Sequence, residues 1–479
     1  MSVVRAFALM VLLAGPTVIA FFAGGYFDQP REWAGIFAWA LVVVAALASP
    51  APLPRAWPAR LAVLGLAALA ALTALSLVWT PLGGATQDDA QRVALYLGTL
   101  IAAAALVRGR AAIRCVEPAL AAGTVIVIGY GVSGRLLPDL IELSASRTAF
   151  GRLEQPLTYW NAMGALATFG LVLCARLAGD GERDPRARAL AAAAAAPLGL
   201  GVYLSFSRAA LVALAVGLIV LVALRPDRRQ ARGALTVLAA GIAAAVAGAL
   251  LPAVRALEGS GTSRTTQGLI MLAVLLAVMA AAAAAVARRP RRDPETRLRL
   301  PRPRWIIALV VLLLAGGTLL AAASDPRAGN PATGANTARL ASVESNRYAY
   351  WRVAAGEFTT HPLLGVGSGA FRVDWLRERT VDDPAKDAHS LYVETLAELG
   401  LLGLAALAAF LAGVAISSVR AFRAAPARAA GPAAALTVWA VHTGLDWDWE
   451  MPAVTTPALI AAGLLVALSD GGLSSRREA

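Results

Sequence analysis

The chain has 479 residues, of which 58% are hydrophobic and only 15% are charged, and its formal net charge is +13. Apolar runs of about 20 residues recur from end to end, and a run of this length can cross the hydrocarbon core of a bilayer. This composition excludes an ordinary soluble protein, and with it the nucleic-acid partner that a strongly basic soluble chain would indicate. It predicts an all-α protein that crosses a membrane many times.

Hydropathy predicts a bundle of about 12–14 transmembrane helices, and fourteen spans can be marked. They are 7–26, 33–49, 61–79, 92–107, 116–134, 159–178, 189–206, 209–224, 233–252, 267–287, 305–323, 396–418, 430–445 and 451–469. The chain then divides into residues 1–323 with spans 1–11, a long connection over 324–395, and residues 396–479 with spans 12–14. No span has an Asp, Glu, Lys or His near its middle, which disfavours an ion-coupled transporter.

Charge predicts the orientation of these spans. If the N-terminus is cytoplasmic, 27 of the 43 Lys and Arg residues fall in inner connections and 16 in outer ones, whereas 21 of the 30 acidic residues are outer. The connection over 288–304 alone holds eight arginines; an orientation signal is the favoured interpretation, and a patch for anionic lipid or a partner is the alternative. We therefore expect a multi-pass protein of the cytoplasmic (inner) membrane, with both termini cytoplasmic and the long connection extracytoplasmic.

The seventh and eighth spans form a tight hairpin with Arg208 at its outer tip, on the side where basic residues are disfavoured. An arginine that snorkels from a helix end would explain this position. A guanidinium fixed there to bind a phosphate in bidentate fashion would explain it equally well. The sequence leaves both interpretations open.

The long connection over 324–395 is of a length that is usually functional or disordered. Its residues 347–358 have helical spacing and predict a short amphipathic helix at the membrane surface. The predicted apolar face consists of Tyr348, Trp351, Ala355 and Phe358. A glycine run follows at 365–369, for which we favour a tight turn; backbone amides that face a pyrophosphate are the alternative.

All three histidines of the chain lie in its last third, on the predicted outer side. A structural role is favoured for His361. His389 precedes the helix that re-enters the membrane, where a neutral imidazole could accept a proton from a sugar hydroxyl. Beyond His442, the segment DWDWE at 446–450 could coordinate a metal, but an outer acidic rim with interfacial tryptophans is the favoured interpretation.

Three ordered segments resemble the O-antigen ligase family of membrane glycan transferases, which also includes O-antigen polymerases and protein O-oligosaccharyltransferases. They are SFSRAA at 205–210, RYAYW at 347–351 followed by HPLLGVGSGAF at 361–371, and AHSLYVE at 388–394 followed by ELG at 398–400. LEQPLTYWNA at 153–162 is similar to a weaker motif of the family. No single segment is specific, but their order and spacing fit the family from about residue 150 to 410.

The resemblance implies a GT-C-like glycosyltransferase that works on the outer membrane face without metal or cofactor. The donor would be a glycan on a polyprenyl diphosphate such as undecaprenyl diphosphate. Carried across, Arg208 and Arg347, with Ser207, would bind the donor diphosphate, and His389 would deprotonate the acceptor hydroxyl. Possible acceptor or glycan contacts are Trp351, Tyr392, Asp446 and Trp447.

Two departures from the family pattern bear on these expectations. Ser390 stands where many members have Asn after the histidine, so the hydrogen bond that orients the histidine is expected to differ. The fourteen predicted spans also exceed the roughly twelve of the family.

The leading hypothesis is therefore an enzyme of the cell envelope that ligates surface polysaccharide, with a glycan, lipid or protein acceptor and membrane lipids as its partners and no nucleic acid. A polysaccharide polymerase of the same family is one alternative. A non-catalytic flippase or transporter of lipid-linked glycan is the other. The outer arginines and His389 favour the enzyme, because a carrier needs no general base.

Overall fold

The computed structural model describes residues 3–49, 52–289, 297–298, 334–336, 340 and 345–471. The α-helices within them are α1 (Val3–Ala20), α2 (Asp28–Ala48), α3 (Trp57–Leu75), α4 (Gly83–Leu106), α5 (Arg110–Leu136), α6 (Trp160–Gly179), α7 (Pro185–Ser205), α8 (Arg208–Leu224), α9 (Arg228–Ala249), α10 (Pro252–Ala256), α11 (Gly261–Ala287), α12 (Arg347–Thr360), α13 (Phe371–Glu378), α14 (Leu391–Ala424), α15 (Pro426–His442) and α16 (Pro452–Ser469). The only β pairing among the described residues is an isolated bridge between Asp227 and Arg297.

The prediction of a polytopic all-α protein is confirmed. Ten of the described helices are long and apolar enough to cross a membrane, and α8 is apolar but shorter. Thirteen of the fourteen predicted spans coincide with helices, although 92–107 begins well inside α4 and 396–418 begins after the start of α14. The eleventh predicted span, 305–323, lies outside the described residues.

Two helices form the centre of the bundle. All residues of α6 after Trp160 are buried, and so are nearly all residues of α16. Small residues let neighbouring backbones approach closely, as expected for helices packed in lipid. A Cβ added to Gly65 of α3 would lie 2.3 Å from the backbone nitrogen of Phe410 in α14. The α3–α14 pair is therefore held by backbone contact as well as by side chains.

Alternate connections gather at two opposite ends of the bundle. At one, which we call the basic end, the Asp470 carboxylate pairs with Arg108 at 3.0 Å and accepts a hydrogen bond from the Arg55 amide. Arg5 donates to the Arg108 carbonyl at the same end. The opposite end carries residues 345–390 and the turn between α15 and α16. The alternation that the charge pattern predicts is thus present in the helix arrangement.

The long helix α14 is broken at Gly400, whose φ of 62° lies in the left-handed region. The break receives the segment 362–369: the amides of Val366 and Gly367 donate to the carbonyls of Ala397 and Glu398. A Cβ at Gly400 would lie 2.4 Å from the carbonyl carbon of Leu363. The glycine run is therefore packed against the helix break, where a side chain at position 400 would not fit.

The hydrogen bonds of the backbone amides in and after the glycine run distinguish a tight turn from a pyrophosphate cradle. The backbone amides of Gly369 and Phe371 donate to the two carboxylate oxygens of Glu398 at 2.8 and 3.0 Å. Since these amides are engaged within the protein, the structure favours the tight turn over a pyrophosphate cradle.

The short helix predicted over 347–358 is confirmed as α12. Its buried face consists of Tyr350, Val353 and Ala354 and lies beside the face predicted to contact the membrane, of which Ala355 is exposed and Trp351 half-buried. The buried face packs into a second hydrophobic cluster, the loop core, separate from that of the bundle. The loop core consists of Ala349, Tyr350, Val353, Ala354, Phe371, Trp375, Ala385, Ala388 and Ala397. The helix is thus part of a folded unit.

Candidate functional site

The turn over 443–451, between α15 and α16, lies at the centre of the candidate site. His442 and Asp446 are completely buried and Asp448 is 1% exposed. Buried charges are costly unless they are paired and hydrogen-bonded. Each of these side chains has partners on other helices, and these partners include several of the residues selected from the sequence.

Asp446 pairs with Arg347, the first residue of α12. It also accepts hydrogen bonds from Tyr159 Oη at 2.6 Å and Asn161 Nδ2 at 2.7 Å. Burial alone would raise the pKa of this carboxyl. The charge of Arg347, with smaller effects from the nearby histidines, outweighs burial and holds the pKa of Asp446 below its ordinary value. Asp446 is therefore an ionised carboxylate that fixes Arg347.

Arg347 keeps 17% of its side chain exposed despite this ion pair. Burial would lower its pKa, but the Asp446 charge outweighs burial and the pKa of Arg347 lies above its ordinary value. A guanidinium has five N–H donors in a planar fork, so one carboxylate does not saturate it. Arg347 is thus held as a permanent cation with donors left for a ligand.

Ser207, in the α7–α8 hairpin, contacts the last residue of α15, from which the same turn begins, and Arg208 follows Ser207 in the chain. Only Phe206 and Ser207 connect the two helices, and Ser207 caps α8 by accepting a hydrogen bond from the Ala210 amide at 3.3 Å. Ser207 Oγ also lies 3.4 Å from Nε2 of His442. Arg208, the first residue of α8, is half-buried. The predicted hairpin tip therefore packs beside the turn that holds Arg347.

His389 stands immediately before α14, with a left-handed φ of 55°. Its Nδ1 lies 2.9 Å from the carbonyl oxygen of Asp387. Because a carbonyl can only accept, Nδ1 carries the proton, and Nε2 of the neutral ring is left as the acceptor. The ring packs 4.9 Å from Tyr350 and 6.3 Å from Trp447. His389 is thus half-exposed beside the same turn, in the tautomer that a base requires.

Ser390 takes the place of the asparagine common after this histidine. It is 2% exposed, and its Oγ accepts the Val393 amide at the start of α14. Ser390 thus caps the helix, and the contact that orients the His389 ring is with a backbone carbonyl.

The four residues selected as glycan or acceptor contacts occupy different environments. Trp351 Nε1 donates to the Ala388 carbonyl, and Tyr392 Oη donates to the Ala440 carbonyl. The Trp447 ring lies 4.3 Å from that of Tyr159. Asp446 is enclosed, and its position favours the orientation of Arg347 over the direct glycan contact predicted for it.

The acidic rim predicted over 446–450 is wrong, because all three carboxylates of this segment are buried. The sequence pattern does not form one metal site either: Asp446 pairs with Arg347 and Asp448 with His442. Glu450 lies 3.7 Å from Arg92. The alternation of the segment directs its acidic side chains to separate partners.

Glu450 does belong to another carboxylate group, with Asp387 and Glu394, whose oxygens lie within 4.8 Å of one another and could hold a metal ion. Burial raises the pKa of Asp387, and that of Glu450 well above its ordinary value. Three carboxyls at this distance disfavour full ionisation of the group. It lies next to His389 in the chain but is distinct from the Asp446 pair.

Several residues of this site were not identified from the sequence. Tyr159 and Asn161 belong to LEQPLTYWNA, which was marked as a motif but given no role. The sequence assigns no role to His442 and places Asp448 in an acidic rim. Only the hydrogen bond from Ser207 to His442, 235 residues apart, reveals their place.

Comparison with protein families gives one match. Residues 260–408 match the family described as O-antigen ligase. No curated protein matches the chain. The matched segment includes Arg347 and His389, but Arg208 and the 443–451 turn lie outside it. The match covers about a third of the chain, so this segment is similar to the O-antigen ligase family, and the polytopic all-helical fold is consistent with that similarity.

Proposed function

We propose that this protein transfers a glycan from a polyprenyl-diphosphate donor to an acceptor hydroxyl during assembly of a surface polysaccharide. The family supports glycosyl transfer of this general kind. The observation that carries the specific proposal is the arrangement of Arg347, the Ser207–Arg208 hairpin tip and His389 around one buried turn. These residues come from three distant parts of the chain and provide two cations, Arg208 and Arg347, and one base, His389.

The two arginines act on the leaving group. When the bond between the sugar C1 and the diphosphate oxygen breaks, negative charge builds up on the diphosphate. Fixed guanidiniums stabilise that charge without reorganisation during the reaction. Asp446 orients Arg347, and the start of α8 places Arg208 beside backbone amides that favour an anion.

His389 acts on the nucleophile. The acceptor oxygen forms the new bond to C1 while its proton passes to Nε2 of His389, the ring nitrogen left unprotonated by the Asp387 contact. The diphosphate leaves with the electron pair of the broken bond. The reaction needs no metal in this scheme, because arginines supply the positive charge.

The decisive experiment compares His389→Ala with His361→Ala in a reconstituted assay with a lipid-linked glycan donor. General bases contribute roughly 10²–10⁴-fold to the rate, so we expect a loss of that size for His389→Ala. His361 is exposed at the same end and serves as the matched control, with a rate near wild type. A near wild-type rate for His389→Ala contradicts the assignment.

The mass of the product distinguishes the alternatives. One glycan unit on a different acceptor indicates a ligase, whereas a lengthened lipid-linked glycan indicates a polymerase. A purified protein that moves donor across a bilayer and forms no product supports the flippase instead.

Orientation can be tested with a native cysteine. Cys115 is exposed near the start of α5, at the basic end, and Cys174 is buried. If the basic end is cytoplasmic, a membrane-impermeant maleimide labels Cys115 only after the cells are permeabilised. Equal labelling of intact cells contradicts the proposed extracytoplasmic site.

A further inference from the structure

Three buried side chains connect the hairpin tip to the α15–α16 turn, and two of them, His442 and Asp448, have no part in the scheme above. Ser207 Oγ lies 3.4 Å from Nε2 of His442, and Nδ1 of His442 pairs with the Asp448 carboxylate. Ser207 is 3% exposed, His442 is fully buried and Asp448 is 1% exposed. Ser207, His442 and Asp448 thus form a hydrogen-bonded line, and its Ser207 end is adjacent to Arg208 in the chain.

The Asp448 end of this line is rigid. The backbone carbonyl of Asp448 accepts a hydrogen bond from Thr455 Oγ1 at 2.8 Å, and Thr455 accepts one from Trp439 Nε1 at 3.2 Å. The second carboxylate oxygen of Asp448 is buried without a hydrogen-bond partner. Since a carboxylate only accepts, Nδ1 of His442 carries a proton. Only Nε2 can therefore change its protonation state.

The protonation state of Nε2 determines which acceptor receives the hydrogen bond from the Ser207 hydroxyl. Ser207 Oγ already accepts the Ala210 amide. If His442 is neutral, Nε2 is an acceptor and takes the single hydroxyl proton of Ser207. If His442 is protonated, Nε2 donates to Oγ, and the hydroxyl proton is released toward another acceptor. The imidazole thus acts as a switch for the direction in which Ser207 donates.

The charged groups around His442 favour its protonation when an anion binds. Asp446 and Asp448 face it from its own turn, Arg347 from α12, and Arg208 lies at the start of α8. A diphosphate bound by the two arginines offsets their charge and leaves the two aspartates to stabilise an imidazolium. Ligand binding and proton uptake are therefore coupled by electrostatics.

We propose that His442 is a positioning residue that takes up one proton from solvent when a diphosphate binds, and thereby turns the Ser207 hydroxyl toward a diphosphate oxygen. The ligand class is a lipid diphosphate, so this inference rests on the proposed function. It adds a coupling between pH and donor affinity that the arginines and His389 do not provide.

The test measures binding of undecaprenyl diphosphate to the purified full-length protein over a range of pH. This probe carries no sugar, so no turnover occurs and the result does not depend on His389 as a catalytic base. Its terminal phosphate also ionises near neutral pH, so the affinities are compared after correction for that ionisation. One linked proton changes affinity by up to about tenfold per pH unit, weakening as pH rises. A failure of the catalytic scheme appears in the His389→Ala assay, and a failure of this inference appears only in the binding curve.

His442→Asn is the informative variant, because its side-chain amide can still donate to Asp448 but cannot take up a proton. We expect weaker binding, by about tenfold below neutral pH, and loss of the pH dependence. The control is His361→Asn, which should keep the wild-type curve. Wild-type affinity with an unchanged slope in His442→Asn overturns the proposal.

Variants at Ser207 provide a second test that does not require the His442 variant to fold. Ser207→Ala should bind weakly with a flattened pH dependence, whereas Ser207→Thr keeps the hydroxyl and should restore both. If Ser207→Ala binds normally but transfers no glycan, Ser207 is a nucleophile and the proposal is overturned.

Discussion

Buried charges occur at both ends of the bundle, but they are of different kinds. At the basic end, Glu117 of α5 lies 3.0 Å from Arg183 and 3.9 Å from Arg176 of α6, and Arg176 also reaches Asp180 at 3.1 Å. Two arginines face two carboxylates there, so the network is balanced in itself. Its groups join neighbouring helices and connections.

At the opposite end, the buried groups include histidine and tyrosine beside Asp446 and Asp448. Here the ion pair of Arg347 is completed by uncharged donors, Tyr159 and Asn161, and His442 can gain or lose a proton. The comparison shows that burial of charge alone does not distinguish the two ends. Arg183 and Arg347 are about equally enclosed, and the difference lies in the histidine and tyrosine side chains around the Arg347 pair.

The largest expected effect on the transfer rate comes from Arg347, and Arg352 of the same helix provides the control. Arg347→Lys removes the planar fork that binds both Asp446 and the donor, because an ammonium is a point charge. We expect a loss of roughly 10²–10³-fold in transfer rate. Arg352→Lys on the exposed face of α12 is the control, with a rate near wild type. Equal activity of both variants contradicts the diphosphate role of Arg347.

Asp446→Asn tests whether the carboxylate acts through Arg347. The amide keeps the size of the side chain but not its charge, so the guanidinium is held less firmly. We expect transfer to fall by about ten- to a hundredfold, with folded protein recovered in normal yield. The measurement is the rate per folded molecule at saturating donor. An unchanged rate would assign Asp446 to structure alone.

The matched change at the basic end is Glu117→Gln. It leaves Arg176 and Arg183 with one carboxylate fewer in a buried setting, where a broken pair costs about 3–5 kcal/mol. We expect a lower thermal midpoint in detergent and an unchanged rate per folded molecule. Loss of transfer without loss of stability would mean that the two ends do not differ as described.

The smallest expected effect is a pH-dependent change in stability that arises from a buried carboxyl of α12. Glu357 is 4% exposed, and both its carboxylate oxygens lack hydrogen-bond partners. Burial, with the carboxyls of Asp374 and Glu378 nearby, raises the pKa of Glu357 from 4.5 to about 8. Because the folded state holds this proton more tightly, stability is greatest at low pH and falls as pH rises toward about 8.

Glu357→Gln mimics the neutral acid and should remove this fall. We expect the thermal midpoint of the wild type to drop between about pH 5 and about pH 8 by more than that of the variant. Asp382→Asn, at a carboxylate that is exposed in the same folded unit, is the control. Identical pH profiles of wild type and Glu357→Gln would contradict an uncharged Glu357.

The helices were predictable because hydrophobic runs and the hairpin at Phe206–Ser207 are local signals. The helix α12 was predictable for the same reason, but the loop core against which Tyr350 packs was not, because its residues come from separate segments of the chain. The role of the 446–450 segment was missed because a carboxylate and its partner lie far apart: Arg347 precedes Asp446 by 99 residues. Local patterns select candidate residues, and only the fold pairs them.

The break at Gly400 has a consequence for protein engineering. The loop core includes Ala397, so the first turns of α14 belong to the folded unit of α12, α13 and His389. The sequence placed that boundary at residue 396. A chimera with another family member should therefore be joined at Gly400, where the helix is already interrupted, so that residues 345–399 are exchanged as one piece with their own core.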